Sequence, residues 1–167
     1  MVKKIKRWFK HAFAPPWRQR VLFPKVTLTA IETAIQQSEM THSGELRFVI
    51  ENALSSGQVW RDVSSHERAL ELFSNLRVWD TEENSGVLIY LLLADRTVHI
   101  IADRGINQRV AQAKWDDIAR AMQNEFGQGN FQRGSLIGIE RITALLARHF
   151  PATADNPNEL PDEPVIV

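Results

Sequence analysis

The chain has 167 residues, with 20 Lys and Arg against 20 Asp and Glu, and no cysteine. That length suits one domain with a full core, and the lack of thiols excludes disulfides, thiolate nucleophiles and cysteine metal sites. Residues 1–25 hold eight of the basic residues and no acidic one, so the rest, at 12 basic against 20 acidic, is an acidic body that argues against nucleic acid as a partner.

Ile5, Trp8, Phe9, Ala12 and Phe13 fall at i, i+3, i+4, i+7 and i+8 and make one apolar stripe, flanked by Lys3, Lys4, Lys6, Arg7, Lys10 and His11. This is the pattern of an amphipathic helix lying on an anionic membrane surface or docking on a membrane-associated protein. Three large side chains at roughly 1.5–3 kcal/mol each and about 1 kcal/mol for each basic residue near the surface are set against the cost of ordering a short helix. The same stripe also suits packing on the acidic body. Lys10 and His11 interrupt it before a secretory signal segment can form. The longest apolar run, Val87 to Ala94, is far short of the roughly 20 residues that span a bilayer. Cytoplasmic residence is expected, with peripheral attachment at the inner membrane.

Prolines mark the boundaries, at Pro15, Pro16 and Pro24 and again at Pro151, Pro157, Pro161 and Pro164. They divide the chain into a basic amphipathic arm (1–24), an α/β body (25–150) and a proline-rich acidic tail (151–167). In the body, Thr27 or Thr29 caps a helix to about Glu39. Glu45 to Glu51 alternates as a strand, residues 52–62 read as a loop, and Ser64 or Ser65 opens a second helix. Val87 to Ala94 reads as a strand buried on both faces, turning through Asp95-Arg96-Thr97 into an antiparallel partner from Val98 to Ala102. A short turn at Ile106 to Val110, a helix from Lys114 to Phe126 and a last helix from Phe131 or Ser135 to Phe150 follow. Trp60, Trp79 and Trp115 adjoin helices, where core or rim packing is expected. Strand, helix, strand is a crossover, so the strands at 45–51 and 87–94 should run parallel. That places Ser43 to Glu45, Asn84 to Gly86 and Asp103 to Gly105 at one edge of the sheet.

Glu45, Asp80, Glu82, Glu83, Asn84 and Asp103 supply oxygens of the kind that hard cations such as calcium and magnesium take. The Asp80, Glu82, Asn84 spacing lacks the Gly and distal Glu of an EF-hand loop. The alternative is structural: Asp80 and Asn84 making turn hydrogen bonds, Asp103 capping the next segment, and Gly86 and Gly105 adopting backbone geometries closed to other residues. Phosphatase chemistry would need a metal at this edge to activate water or neutralise a phosphoryl oxygen. The chain has no Gly-rich phosphate loop, its five histidines are scattered, and no Asp-x-Asp follows Asp103.

Thr41-His42-Ser43-Gly44-Glu45-Leu46-Arg47, Asn84-Ser85-Gly86-Val87-Leu88-Ile89 and Ala102-Asp103-Arg104-Gly105-Ile106 occur in the order and at the spacing of the TPM-domain family, which residues 26–167 resemble. The closing Asn158 to Glu163 looks like the tail of its stand-alone bacterial members. The resemblance implies a three-layer α/β/α sandwich with a small mixed sheet and helices on both faces. It also implies divalent-cation binding, with which some members are credited, and at this edge Glu45, Asp80, Asn84 and Asp103 are the ligands expected. Others, including the thylakoid-lumen acid phosphatase and photosystem II repair group, are credited with phosphatase activity or work beside photosynthetic complexes or membranes. Two functions are therefore expected. One is a non-catalytic module that binds Ca or Mg weakly and meets a membrane or membrane-associated protein through Ile5, Trp8, Phe9, Phe13, Lys3, Lys6 and Lys10. The other is a metal-dependent acid phosphatase with Asp103 as its catalytic residue. The tail is expected to pack back on the body through Leu160 and Val165 to Val167.

Overall fold

The computed structural model describes residues 2–152 and 157–167, with side chains from Lys4 onward. The elements run α1 (Val2–Ala12), α2 (Trp17–Leu22), α3 (Lys25–Glu39), β1 (Glu45–Glu51), α4 (Ser56–Trp60), α5 (Ser65–Asn75), β2 (Gly86–Leu92), β3 (Thr97–Ala102), α6 (Arg104–Asn107), α7 (Gln112–Gly127), α8 (Phe131–His149) and β4 (Val165–Ile166). The four strands form one mixed sheet in the order β3-β2-β1-β4. β1 is parallel to β2 and to β4, and β2 is antiparallel to β3. The fold is α/β, with helices on both faces of the sheet.

Strand alternation decides which side chains meet which helices. Leu46, Phe48 and Ile50 of β1, Val87, Ile89 and Leu91 of β2, and Val98, Ile100 and Ala102 of β3 pack with Ile31 and Ile35 of α3, Trp115, Ile118 and Met122 of α7, and Ile139, Ile142 and Leu146 of α8. The opposite face carries Val49, Leu88, Tyr90, Leu92 and Ile101 against Val59 of α4 and Ala69 and Leu72 of α5. Every residue of β2 is buried, as its continuous apolar run requires. Trp115 lies in the core, whereas Trp60 and Trp79 are half exposed.

The stretch expected as a loop at 52–62 contains α4. Its cause is a reciprocal capping box: the Ser55 hydroxyl accepts from Gln58 N, and the Gln58 side chain accepts from Ser55 N at 2.9 Å. Ser64 and Glu67 repeat the device at the start of α5.

The two chain ends are bound into this frame. On α1, Arg7 donates to Asp95 Oδ2 from Nη2 at 2.9 Å and Nε at 3.2 Å, Lys10 Nζ lies 3.6 Å from Oδ1, and the buried His11 reaches Oδ1 at 3.0 Å. Leu54 N donates to His11 Nδ1 at 2.9 Å, which joins α1 to the segment before α4. These partners hold the Asp95 carboxyl well below the usual carboxylate range, outweighing the opposing effect of its burial. Gln19 of α2 donates to Ile50 O at 2.7 Å. At the other end, β4 extends the sheet, pairing Val165 with Val49 and Ile166 with Ile50.

Candidate functional site

The register brings the three polar motifs to one edge, at the amino ends of the parallel strands. Glu45 pairs with Gly86, Glu45 N donates to Ser85 O at 3.2 Å, and Asp103 N donates to Gly86 O at 2.9 Å. Ser43 Oγ donates to Glu83 Oε2 at 2.6 Å, and Ser85 Oγ donates to Ser43 O at 3.1 Å. An open cleft of about 500 Å³ lies beside them, lined by Ser43, Glu82, Glu83, Asn84, Arg109, His149, Phe150 and Pro151.

Within this edge the expected cation ligands separate. Asn84 and Asp103 meet through Arg104: Asp103 Oδ1 accepts from Arg104 N at 2.6 Å, and Asn84 Oδ1 accepts from Arg104 Nε at 2.9 Å. Asn84 sits at φ +51, in the left-handed region that Asn tolerates better than most residues. Gly105 packs against the same turn so closely that a Cβ there would lie 2.6 Å from Glu83 O and 2.7 Å from Asn84 O. The second Asp103 oxygen, Oδ2, is buried without a hydrogen-bond partner among the described residues. An unpaired carboxylate oxygen is the kind of ligand a hard cation takes, while the Asn84 amide oxygen is already engaged by Arg104.

Glu45 faces a different environment. Its carboxylate accepts from Glu159 N at 3.2 Å and Leu160 N at 3.0 Å, so the tail closes over it. Burial pushes the Glu45 carboxyl up, against the pull of those two backbone donors. Arg47, two residues along on the same face, donates to Pro161 O and Glu163 O. Between Glu45 and Asp103 stands Gly86, whose missing side chain leaves room for the Val78 backbone. Asp80 is exposed in the turn after Val78. Among the described residues, no group of three or more His, Asp or Glu side chains gathers as a metal set.

The arm residues are equally divided. Trp8 is partly buried against the core of the α5 face. Ile5, Phe9 and Phe13 are 41, 50 and 73 % exposed, and the Phe9 and Phe13 rings stack with centroids 5.7 Å apart. Lys6 and Lys10 flank them, and the Lys3 side chain lies outside the described residues.

Sequence reasoning missed Asp95, read only as a turn residue, and the basic groups of α1 that converge on it. It also missed Glu39 at the end of α3. Glu39 Oε1 accepts from Leu46 N at 3.1 Å, and burial pushes its carboxyl up to about 9, with Glu45 and Asp162 adding to the rise. The folded chain thus holds a proton on Glu39 that the unfolded chain releases above about pH 4.5. Folding stability contributed by this proton is complete below pH 4.5 and is lost as pH rises toward 9. Burial holds His42 down at about 4; its effect is confined to pH below 6.5, where the unfolded chain takes up a proton that the folded chain refuses. Between pH 6.5 and 9, stability from urea titrations should therefore fall with pH. Glu39→Gln should flatten that slope by about 1.4 kcal/mol per pH unit. An unchanged slope in the variant would mean that Glu39 is ionised in the folded chain.

Fold and site together define a small α/β/α domain with a polar turn cluster at the amino edge of a mixed sheet. The chain belongs to the TPM domain family, whose model matches residues 18–145. It is similar to the BA42 protein from the psychrophilic bacterium Bizionia argentinensis, whose NMR structure shares 35 % sequence identity at a TM-score of 0.75, covering 85 % of this chain and 93 % of that one. No curated protein matches the chain.

Proposed function

We propose that this TPM domain is a non-catalytic interaction module that docks on an anionic membrane surface through α1 and holds a divalent cation weakly at Asn84 and Asp103. The supporting observation is the orientation of α1. Arg7 and His11 fasten one side of the helix to Asp95, while Ile5, Phe9 and Phe13 remain on the outside. An apolar row on a helix already ordered by the body meets a membrane without the entropy cost that a free peptide bears. Lys4 and Lys6 flank the row, and each contributes about 1 kcal/mol near an anionic surface, while Lys10 is shared with Asp95. No helix among the described residues is long and apolar enough to cross a membrane.

The cation reading rests on Asp103 Oδ2. When bound, a hard cation would neutralise the Asp103 carboxylate and tie the β3–α6 corner to the turn at Asn84. A metal-dependent phosphatase would draw on the same oxygen.

Flotation with vesicles of phosphatidylserine and phosphatidylcholine, compared with phosphatidylcholine alone, tests the docking. Binding should require the anionic lipid, weaken with salt, and fall at least tenfold in the double variant Phe9→Ser, Phe13→Ser. Both positions are exposed, so the fold should survive. Equal binding by this variant removes α1 from the reading. Amide NMR titration with calcium and then magnesium tests the cation site: shifts should centre on Asn84 to Gly86 and Asp103 to Gly105, and be lost in Asp103→Asn. Shifts scattered over the acidic surface count against it, and turnover of a generic phosphate ester that Asp103→Asn abolishes would favour the enzyme.

A further inference from the structure

We propose that the cavity at the carboxyl end of β2, between α2, the β2–β3 turn and the α7–α8 connection, binds a single-chain amphiphile with a carboxylate head, such as a medium-chain fatty acid. The cavity measures about 390 Å³, within the range of small-molecule sites and near its lower end. It lies at the end of the sheet opposite Asn84 and Asp103, on the carboxyl side of the parallel strands, where open α/β sheets usually hold ligands. Its walls are apolar, with Leu22, Leu91, Leu93, Val98, Phe126 and Phe131 prominent. The Phe126 and Phe131 rings stack at 5.3 Å and form a flat side suited to an alkyl chain.

Charge selects the head group. Arg18 and Arg96 both line the cavity, and no acidic side chain does. Arg18 stands one helical turn before Leu22, so α2 brings a cation and an apolar side chain to the same cavity. Arg96 occupies the β2–β3 turn at φ +58, a conformation uncommon for a residue with a side chain. Neither guanidinium has an ion pair or side-chain hydrogen bond among the described residues. Asp95, the sequence neighbour of Arg96, is committed to Arg7, Lys10 and His11 on α1. Two free guanidinium groups on an apolar cavity favour an anion with an apolar body, and Arg pairs with carboxylate through paired parallel hydrogen bonds. The volume suits one chain, which separates this ligand from a two-chain phospholipid.

Amide NMR titration of the full chain with decanoate below its micellar concentration, decanol below its solubility limit, and acetate tests the assignment. Decanoate should shift amides of Leu91 to Val98 and Phe126 to Phe131 and bind at least tenfold more tightly than decanol, with acetate giving no saturable change there. Arg18→Gln should weaken decanoate about tenfold and leave decanol unchanged, and Arg96→Gly, which keeps the left-handed turn, should do the same. Leu22→Trp, which fills the cavity from α2, should abolish decanoate binding while the rest of the spectrum is retained. Equal binding of decanol and decanoate, or shifts confined to the exposed face of α1, would overturn the proposal.

Discussion

Gly86→Ala should destabilise the domain by about 3 kcal/mol or more, at the upper end of what overpacking costs, and lower Tm by about 6–12 °C. Position 86 opens β2 and pairs with Glu45 on one side, while its carbonyl accepts from Asp103 N on the other. A Cβ there would overlap the Val78 carbonyl oxygen, which is backbone and has no alternative rotamer. Val78 stands three residues beyond the end of α5, and its N–H donates to Phe73 O at 3.0 Å, so it is tied to that helix. Relief would require moving the α5 terminus or breaking the pairing of β2 at its first residue. Gly138→Ala is the instructive comparison, because the atoms nearest the added carbon all belong to the Met122 side chain. A thioether chain has rotamers to spare, so its cost should be clearly smaller. Calorimetry on both variants checks the order, and a Gly86→Ala protein as stable as the Gly138→Ala one would show that Val78 gives way.

Glu51→Ala should be the most damaging substitution of a polar residue, at about 3–5 kcal/mol, the range for removing one partner of a buried ion pair. Glu51 ends β1 on the α5 face. It accepts from Arg68 Nε at 3.0 Å and Nη2 at 3.0 Å, and from Tyr90 Oη at 2.6 Å. Burial and the Glu51 carboxylate together push the Tyr90 hydroxyl far above the usual phenol range, and its hydrogen-bonded partners push Arg68 up despite burial. Truncation strands both donors: Tyr90 is fully buried, and among the described residues Arg68 keeps only the exposed Glu71, one turn along α5 at 3.0 Å. The three groups act as a unit, so the effects of Tyr90→Phe and Glu51→Ala should not add. Urea denaturation of both single variants and the double variant measures the coupling. Simple additivity would mean that Tyr90 and Glu51 stabilise the fold independently.

The elements around the edge could be read because local pattern and tertiary role agree there. The alternation of Leu46, Phe48 and Ile50 and the unbroken run from Val87 onward demand strands, and the helix between them demands parallel pairing. Gly86 and Gly105 then mark where backbone crowds backbone. α4 was hidden because its capping box stands beside a glycine, in a stretch too short to show a helical period. The tail was legible only in part. Val165 and Ile166 do form an edge strand, while the fact that Leu160 and Glu159 supply the donors for Glu45 could not be seen, because backbone N–H groups carry no sequence signature.

By itself, then, the sequence determined the periodic elements, their order, the parallel crossover and the gathering of Asn84, Gly86 and Asp103 at one edge, since all of these follow from spacings of two to four residues and from chain direction. Tertiary structure alone decided which polar groups find partners. Arg7 meets Asp95 across 88 residues, and Glu45 meets Glu159 across 114. The Val78 backbone fills the space that a side chain at Gly86 would occupy, between two carboxylates that look equivalent in the sequence. Electrostatic partnership depends on distance in space, and neither the order of residues nor their type encodes that distance until the sheet and both helical layers are in place.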